Sequence, residues 1–228
     1  MKNLAIIPAR SGSKGLKDKN IKEMNGMPLL VYSIQAALES NLFDTIYLST
    51  DSEEYAKVGK AYGAQVPFLR PKELASDTAS SWDAVRCALK QYETIGKKFD
   101  TVSLLQPTSP LRTKEDIIGG YELYQKENAQ AVIGVCEVEH SPLWSNTLPE
   151  SKKMDDFIKP ENDKRRQELN TYYRINGALY IVDRNRIMET DQIYKKDCYA
   201  FIMEQSHSID IDTELDFEIA QIILKNKF

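Results

Sequence analysis

Arg10, Lys14 and Lys19 fall close together in the stretch Ala9-Arg10-Ser11-Gly12-Ser13-Lys14-Gly15-Leu16-Lys17-Asp18-Lys19-Asn20, with two glycines between the first and last cation. Glycines let a backbone turn tightly and bring N–H groups against a ligand, and the cations add positive charge at the same place. That chemistry suits a nucleoside triphosphate. The spelling is neither G-x-x-x-x-G-K-[ST] nor G-x-G-x-x-G, so the loop by itself fits a phosphate grip or a solvated, charged turn.

A second constellation lies near the other end, at Ile209-Asp210-Ile211-Asp212-Thr213. In an extended chain, alternation puts Asp210 and Asp212 on one face and the two isoleucines on the other. Neighbouring carboxylates repel unless a cation sits between them, and a hard divalent ion shared with phosphate oxygens answers that need. Thr213 followed by Asp216 also spells a helix cap. Asp212 could share that role; Asp210 could not.

Between these ends lie weaker candidates. Arg70 can donate to a pyrimidine carbonyl, and the small, hydroxyl-rich run 74–81, with Ala79, Ser80 and Ser81, can approach a base or ribose; the same run also caps a helix. Gln106 carries both a donor and an acceptor at a strand end, suited to a polyhydroxylated ligand or to a plain turn. Arg165, Arg166 and Arg174, with Tyr172, Tyr173 and Tyr180, could hold a carboxylate or stack on a sugar, although a run such as Lys164-Arg165-Arg166 also reads as a solvated face. His140 and His207 have no spacing that makes a triad or a zinc site.

These groups need a frame, and the patterning supplies one. Short β-rich runs alternate with helical periodicity, which argues for a parallel or mostly parallel sheet covered by helices. Strands are expected over 3–8, 43–49, 65–69, 100–105, 129–138, 177–182 and 198–203. Helices are expected from Pro28 (apolar face Leu30, Ile34, Ala37, Leu38) and after Asp51 or Ser52 (Tyr55, Val58, Tyr62). Others follow Ser80 (Trp82, Val85, Leu89, Tyr92), the Thr113–Asp116 capping box (Ile117, Tyr121, Tyr124), and Thr213 (Phe217, Ala220, Leu224, Phe228). Between about 140 and 173 the chain turns polar and loses periodicity, as an insertion would. The first strand empties into the cationic loop, at the carboxyl end where open α/β sheets bind ligands.

The 228 residues suit one sizeable α/β domain. With a formal net charge of −4, the basic loop is a local concentration and not part of a basic face, which argues against a nucleic-acid partner. Cys87, Cys136 and Cys198 are far apart and read as thiols of a reducing compartment. The apolar run that ends at Pro8 is too short for a signal or a membrane span. The expectation is a cytoplasmic protein with no membrane partner.

Read in order, Ile7-Pro8-Ala9-Arg10-Ser11-Gly12-Ser13-Lys14-Gly15, Lys19-Asn20, Arg70-Pro71, 74–80, Leu105-Gln106-Pro107-Thr108-Ser109-Pro110-Leu111-Arg112, Arg174 with Asn176-Gly177-Ala178, and 208–213 resemble the acylneuraminate cytidylyltransferases, the CMP-sialic acid synthetases. The resemblance spans nearly the whole chain. It implies a Rossmann-like α/β fold of the nucleotide-diphospho-sugar transferase type: a single domain over 1–228, with an inserted dimerisation and sugar-site segment at 140–173. It implies CTP and a nonulosonic (sialic-type) acid as substrates, CMP-sugar and pyrophosphate as products, Mg²⁺ as cofactor and a homodimer. Carried over by position, Arg10, Ser13, Lys14, Lys19 and Asn20 lie around triphosphate and ribose, and Arg70, Ala79 and Ser81 around cytosine and ribose. Gln106, Arg165, Asn176 and Tyr180 fall on the sugar side; Asp210 and Asp212 hold the metal, and with Arg10 and Lys14 make up the catalytic set. Trp144 stands where sialic-acid enzymes of this type can carry lysine, which points to a more apolar pocket and a 6-deoxy sugar. The rivals are a cytidylyltransferase for the eight-carbon acid Kdo and a catalytically silent nucleotide-binding protein of the same fold.

Overall fold

A computed structural model describes residues 1–12, 15–76, 79–190 and 192–226. Ser13 and Lys14 of the expected phosphate grip, Asp77 and Thr78 of the hydroxyl-rich run, and Lys227 and Phe228 of the last helix lie outside the described residues.

Eight strands and six α-helices are described. Strand β1 (Asn3–Pro8) sits between β4 (Thr45–Ser49) and β5 (Thr101–Leu104), parallel to both. The sheet continues through β7 (Tyr173–Asp183) and β6 (Ala131–Glu137) to β8 (Cys198–Ile202), in the order β4-β1-β5-β7-β6-β8. Only β7 runs against its neighbours, so the sheet is mixed and mostly parallel. A small hairpin, β2 (Glu23–Met24) and β3 (Met27–Pro28), stands apart from it.

Helices cover both faces. On one side α1 (Leu29–Ser40), α2 (Glu53–Ala61) and α4 (Lys114–Lys126) bury Ile34, Tyr55 and Ile117 against Ala5 and Ile7 of β1. On the other, α3 (Ser81–Thr94) and α5 (Arg184–Glu189) meet Leu4 and Ile6 through Val85, Leu89 and Ile187. Successive residues of β1 therefore enter different cores, as a strand buried on both faces requires. A third cluster joins the hairpin's Met24 to Leu29, Leu111, Ile211 and, from α6 (Glu214–Asn226), Phe217, Ala220 and Leu224.

Local signals placed most of these elements. Ser52, Ser80 and Thr113 cap α2, α3 and α4, and Thr113 with Asp116 makes the full capping box. Some details differ from expectation. The run 65–69 gives one bridge, Gln65 to Tyr47, because Pro67 has no N–H to continue the ladder. Helix α1 begins after Pro28 and turns Leu38 outward, 42% exposed, while Leu29 and Val31 take the buried face.

The segment after β6 leaves and returns at one neck, where the Val138 N–H donates to Tyr172 O at 3.0 Å. Inside it are short 3₁₀ turns, and the Trp144 indole N–H donates to Asn162 O at 3.0 Å. Among the described residues no helix is long and apolar enough to cross a membrane. The three cysteines are unpaired with one another.

Candidate active site

The carboxyl ends of β1, β4 and β5 open into a cleft of about 330 Å³. Arg10, Lys19, Asn20, Arg70, Ala79, Ser81, Gln106, Asp210 and Asp212 all line it. A larger cavity of about 710 Å³ lies between the hairpin, α1 and α6. Its lining is mainly apolar; the smaller cleft brings Arg10, Lys19, Arg70, Asp210 and Asp212 together at strand ends, so the chemistry belongs there.

Each cleft wall has a local cause. The loop after β1 is tied down by Ser11, whose N–H and hydroxyl both donate to the Asp51 carboxylate at 2.8 Å. Asn20 Nδ2 donates back to Arg10 O at 3.1 Å, which closes the loop on itself. Gly15 serves close approach, because a Cβ there would stand 2.9 Å from Asp212 O. Arg70 is buried and clamped to the end of β4, with Nε on Ser49 Oγ at 3.0 Å and an Nη on Ser49 O at 2.7 Å. Burial lowers its pKa, and the nearby cation Arg10 adds to that.

The 209–212 segment alternates in burial as expected. Ile211 is fully buried in the third core cluster and Ile209 packs against that cluster, while both aspartates face the cleft. The Ile211 N–H donates to Thr108 O at 2.8 Å, which docks the segment on the loop after β5. Capping of α6 falls to Thr213, whose hydroxyl and N–H each meet Asp216 Oδ2 at 2.8 Å. Asp212 is left with a different partner, Lys19 Nζ, at 3.2 Å.

Asp210 has a raised pKa. Although the residue is exposed to the cleft, desolvation by the surrounding walls is the main cause; the Asp212 charge adds to it, and a hydrogen bond with Thr108 and the charges of Lys19 and Arg174 work against it. Two hard carboxylates, one of them disfavoured as an anion, fit a divalent cation that would relieve their repulsion. Among the described residues no cluster of three His, Cys, Asp or Glu could hold a metal alone. Substrate phosphate oxygens would have to complete such a site.

A family model described as cytidylyltransferase matches residues 4–225. The chain belongs to that family. Among its curated relatives is a pseudaminic acid cytidylyltransferase of Campylobacter jejuni, 37% identical, the match covering 99% of this chain and 97% of that one. A CMP-N,N'-diacetyllegionaminic acid synthase of Legionella pneumophila is 35% identical over 99% and 97% of the two chains. An N-acylneuraminate cytidylyltransferase of Escherichia coli is 37% identical over 99% of this chain, which spans only 53% of that longer protein. Among solved structures, a CMP:2-keto-3-deoxy-manno-octonic acid synthetase complexed with CTP superposes with a TM-score of 0.75 at 15% identity, covering all of both chains. That likeness carries the fold alone.

Three sugar-side candidates of this cytidylyltransferase are not among the cleft lining. Asn176 is buried behind it, its Oδ1 accepting from the Ala178 N–H at 3.1 Å and its Nδ2 donating to Ser208 Oγ at 2.9 Å. Tyr180 packs edge-on against Trp82 with ring centroids 5.8 Å apart, and burial pushes its pKa up to about 12. Arg165 is exposed in the inserted segment, where its N–H donates to Glu168 at 3.0 Å. Sequence reasoning assigned no role to Thr108, which lines the cleft and bonds Asp210, or to Gly177. A Cβ on Gly177 would lie 2.6 Å from Gln106 Oε1 and 3.8 Å from Asp210 Oδ2, so the Asn176-Gly177 pair marked the cleft floor.

Proposed function

We propose that this cytidylyltransferase transfers CMP from CTP to the anomeric hydroxyl of a nonulosonic acid, releasing pyrophosphate. One observation carries the reading: the Arg10–Lys19 loop, the buried Arg70 and the Asp210–Asp212 pair share one cleft. In the reaction the anomeric oxygen bonds to the α-phosphorus, the bond from that phosphorus to the pyrophosphate oxygen breaks, and the hydroxyl proton leaves to solvent or a base. Such transfers depend on positioning and charge neutralisation more than on covalent chemistry.

Arg10 and Lys19 face the charge that builds on the leaving pyrophosphate, with Lys14 in the same loop. Arg70, Ala79 and Ser81 form the wall for cytosine and ribose, and Ser80 and Ser81 present the N-terminus of α3 to the cleft. Gln106, over Gly177, offers its carboxamide to the sugar hydroxyls. Asp210 and Asp212 would hold Mg²⁺, which supplies charge stabilisation at the α-phosphate when bound. Thr108 and Lys19 keep the two carboxylates aimed into the cleft.

The protein works as a cytoplasmic homodimer of one catalytic domain each, with 140–173 as the dimerisation segment. Support comes from Ile175 and Ile202, 47% and 60% exposed, which flank Val135 on one sheet face, and from Tyr173 beside them, 49% exposed. Apolar surface of that kind next to an inserted segment suits burial against a second copy. The relatives at 35–37% identity favour a nonulosonic acid over Kdo, whose synthetase is a fold-level neighbour only. A pyrophosphate-release assay with CTP and N-acetylneuraminate, legionaminate, pseudaminate and Kdo tests the reading. Release with Kdo alone would replace it with the Kdo enzyme, and release with none would favour the silent protein.

A further inference from the structure

Arg112 is buried, 3% exposed, and its hydrogen-bond acceptors are all neutral. One Nη donates to Ala178 O at 2.7 Å and approaches Gln106 O at 3.4 Å; the other donates to Ser33 Oγ at 2.6 Å. Ser33 Oγ in turn donates to Gln106 O at 3.2 Å. Arg112 Nε is buried with no hydrogen-bond partner. Asp116 acts on the guanidinium only through space, and burial pushes the pKa down to about 10. A buried charge held this way is a poor source of stability, and an apolar side chain of similar volume would serve packing as well. What arginine alone supplies is a rigid planar fork of donors that can span several carbonyls.

The three segments joined by that fork are α1, the loop after β5 and the part of β7 that carries Gly177 and Ala178. Gln106 and Gly177 are the residues whose close approach forms the cleft floor beside Asp210. From the fork's three attachments we propose that Arg112 is a positioning residue for the sugar subsite: it fixes the Gln106 main chain relative to Gly177–Ala178, so that the Gln106 carboxamide points at the acceptor. Arg112 itself does not line the cleft. The inference rests on the proposed sugar-acid acceptor.

The test uses full-length Arg112→Met, Arg112→Lys and Ser33→Ala, with melting temperature measured for each. Arg112→Met is expected to raise the KM for the sugar acid about tenfold and to leave the KM for CTP within about twofold. Arg112→Lys keeps the charge but not the fork and is expected to give no rescue. Ser33→Ala is expected to shift the sugar KM the same way by a smaller factor, and decides the matter if the Arg112 variants fail to fold. A merely structural role would lower the active fraction, hence the apparent kcat, with both KM values unchanged. That pattern, an equal rise in both KM values, or full rescue by lysine overturns the proposal. Hydrogen–deuterium exchange without substrate is the second readout, with faster exchange expected at 106–109 and 176–179 in Arg112→Met; unchanged exchange there overturns the proposal. If the wild type turns over no sugar acid, the functional reading has failed, and the exchange arm still decides the role of Arg112.

Discussion

Lys19 Nζ stands 3.2 Å from Asp212 Oδ1, across 193 positions of sequence, and donates as well to Ile211 O. The cationic loop and the carboxylate pair are thereby one electrostatic unit. Lys19 screens Asp212 directly and lowers the pKa of Asp210 through space.

Lys19→Met should accordingly impair both halves of the unit. Without the cation the two carboxylates repel more strongly, and on the proposed reaction a charge facing the leaving pyrophosphate would be lost. Steady-state turnover at saturating CTP should fall by about 10², the scale for removing one charge-stabilising group at a reacting centre. The KM for CTP should rise as well. Unchanged CTP kinetics would assign Lys19 to loop anchoring alone.

Asp210→Asn separates stability from activity. A carboxyl whose folded pKa lies above its unfolded value destabilises the fold when ionised, and that penalty disappears as pH falls through the folded pKa. Asp210 is such a group, with desolvation by the cleft walls as the main cause. In chelator-treated protein, Asp210→Asn should therefore melt slightly higher than wild type near pH 8, by a small margin because the residue is exposed and water screens its charge, and the gap should close on acidification. Turnover should drop by about 10² or more in the same variant if Asp210 holds the proposed Mg²⁺, because a ligand charge would be lost. A gap in melting temperature that ignores pH would contradict the assigned cause.

Parts of this architecture were legible because they are local. The capping box at Thr113 and Asp116, the serine caps at 52 and 80, and the Asp-Ile-Asp alternation each need only a few neighbouring residues, and the structure keeps them all. The hairpin at 23–28 escaped because two-residue strands have no periodicity to read, even though Asn25-Gly26 is a hairpin turn signal. The reversed direction of β7 was hidden by the long insertion that separates it from β6. The resemblance puts Asn176 on the sugar side by position; only tertiary burial shows its carboxamide committed to Ala178 and Ser208. His207 has Glu204 close by in sequence, 3.8 Å from its Nε2, but its nearer partner Asp116, 3.0 Å from Nδ1, is supplied by the fold alone.

Arg165 lies in the exposed inserted segment, away from its own chain's cleft lining. In a homodimer that segment can reach the partner's cleft. Arg165→Ala should raise the KM for the sugar acid more than that for CTP. Mixing Arg165→Ala subunits with Asp210→Asn subunits decides which cleft the side chain serves. If Arg165 acts across the interface, the mixture should exceed the summed activity of the two variants, because each mixed dimer retains one intact site. No gain on mixing would return Arg165 to its own chain's cleft.

Gly177→Ala combines two effects that a second substitution can separate. The backbone there has φ 72°, a left-handed conformation that costs an alanine about 1 kcal/mol. The new Cβ would also stand 2.6 Å from Gln106 Oε1 and push the carboxamide off the cleft floor. The single variant should melt a few degrees lower, about 2–4 °C per kcal/mol for a chain of this size. Its sugar KM should rise about tenfold with little change for CTP. In Gly177→Ala/Gln106→Ala the clash is gone but the backbone strain stays, so the melting temperature should remain low while the sugar KM matches that of Gln106→Ala alone. Additive effects on the sugar KM would mean that Gly177 serves the acceptor independently of Gln106.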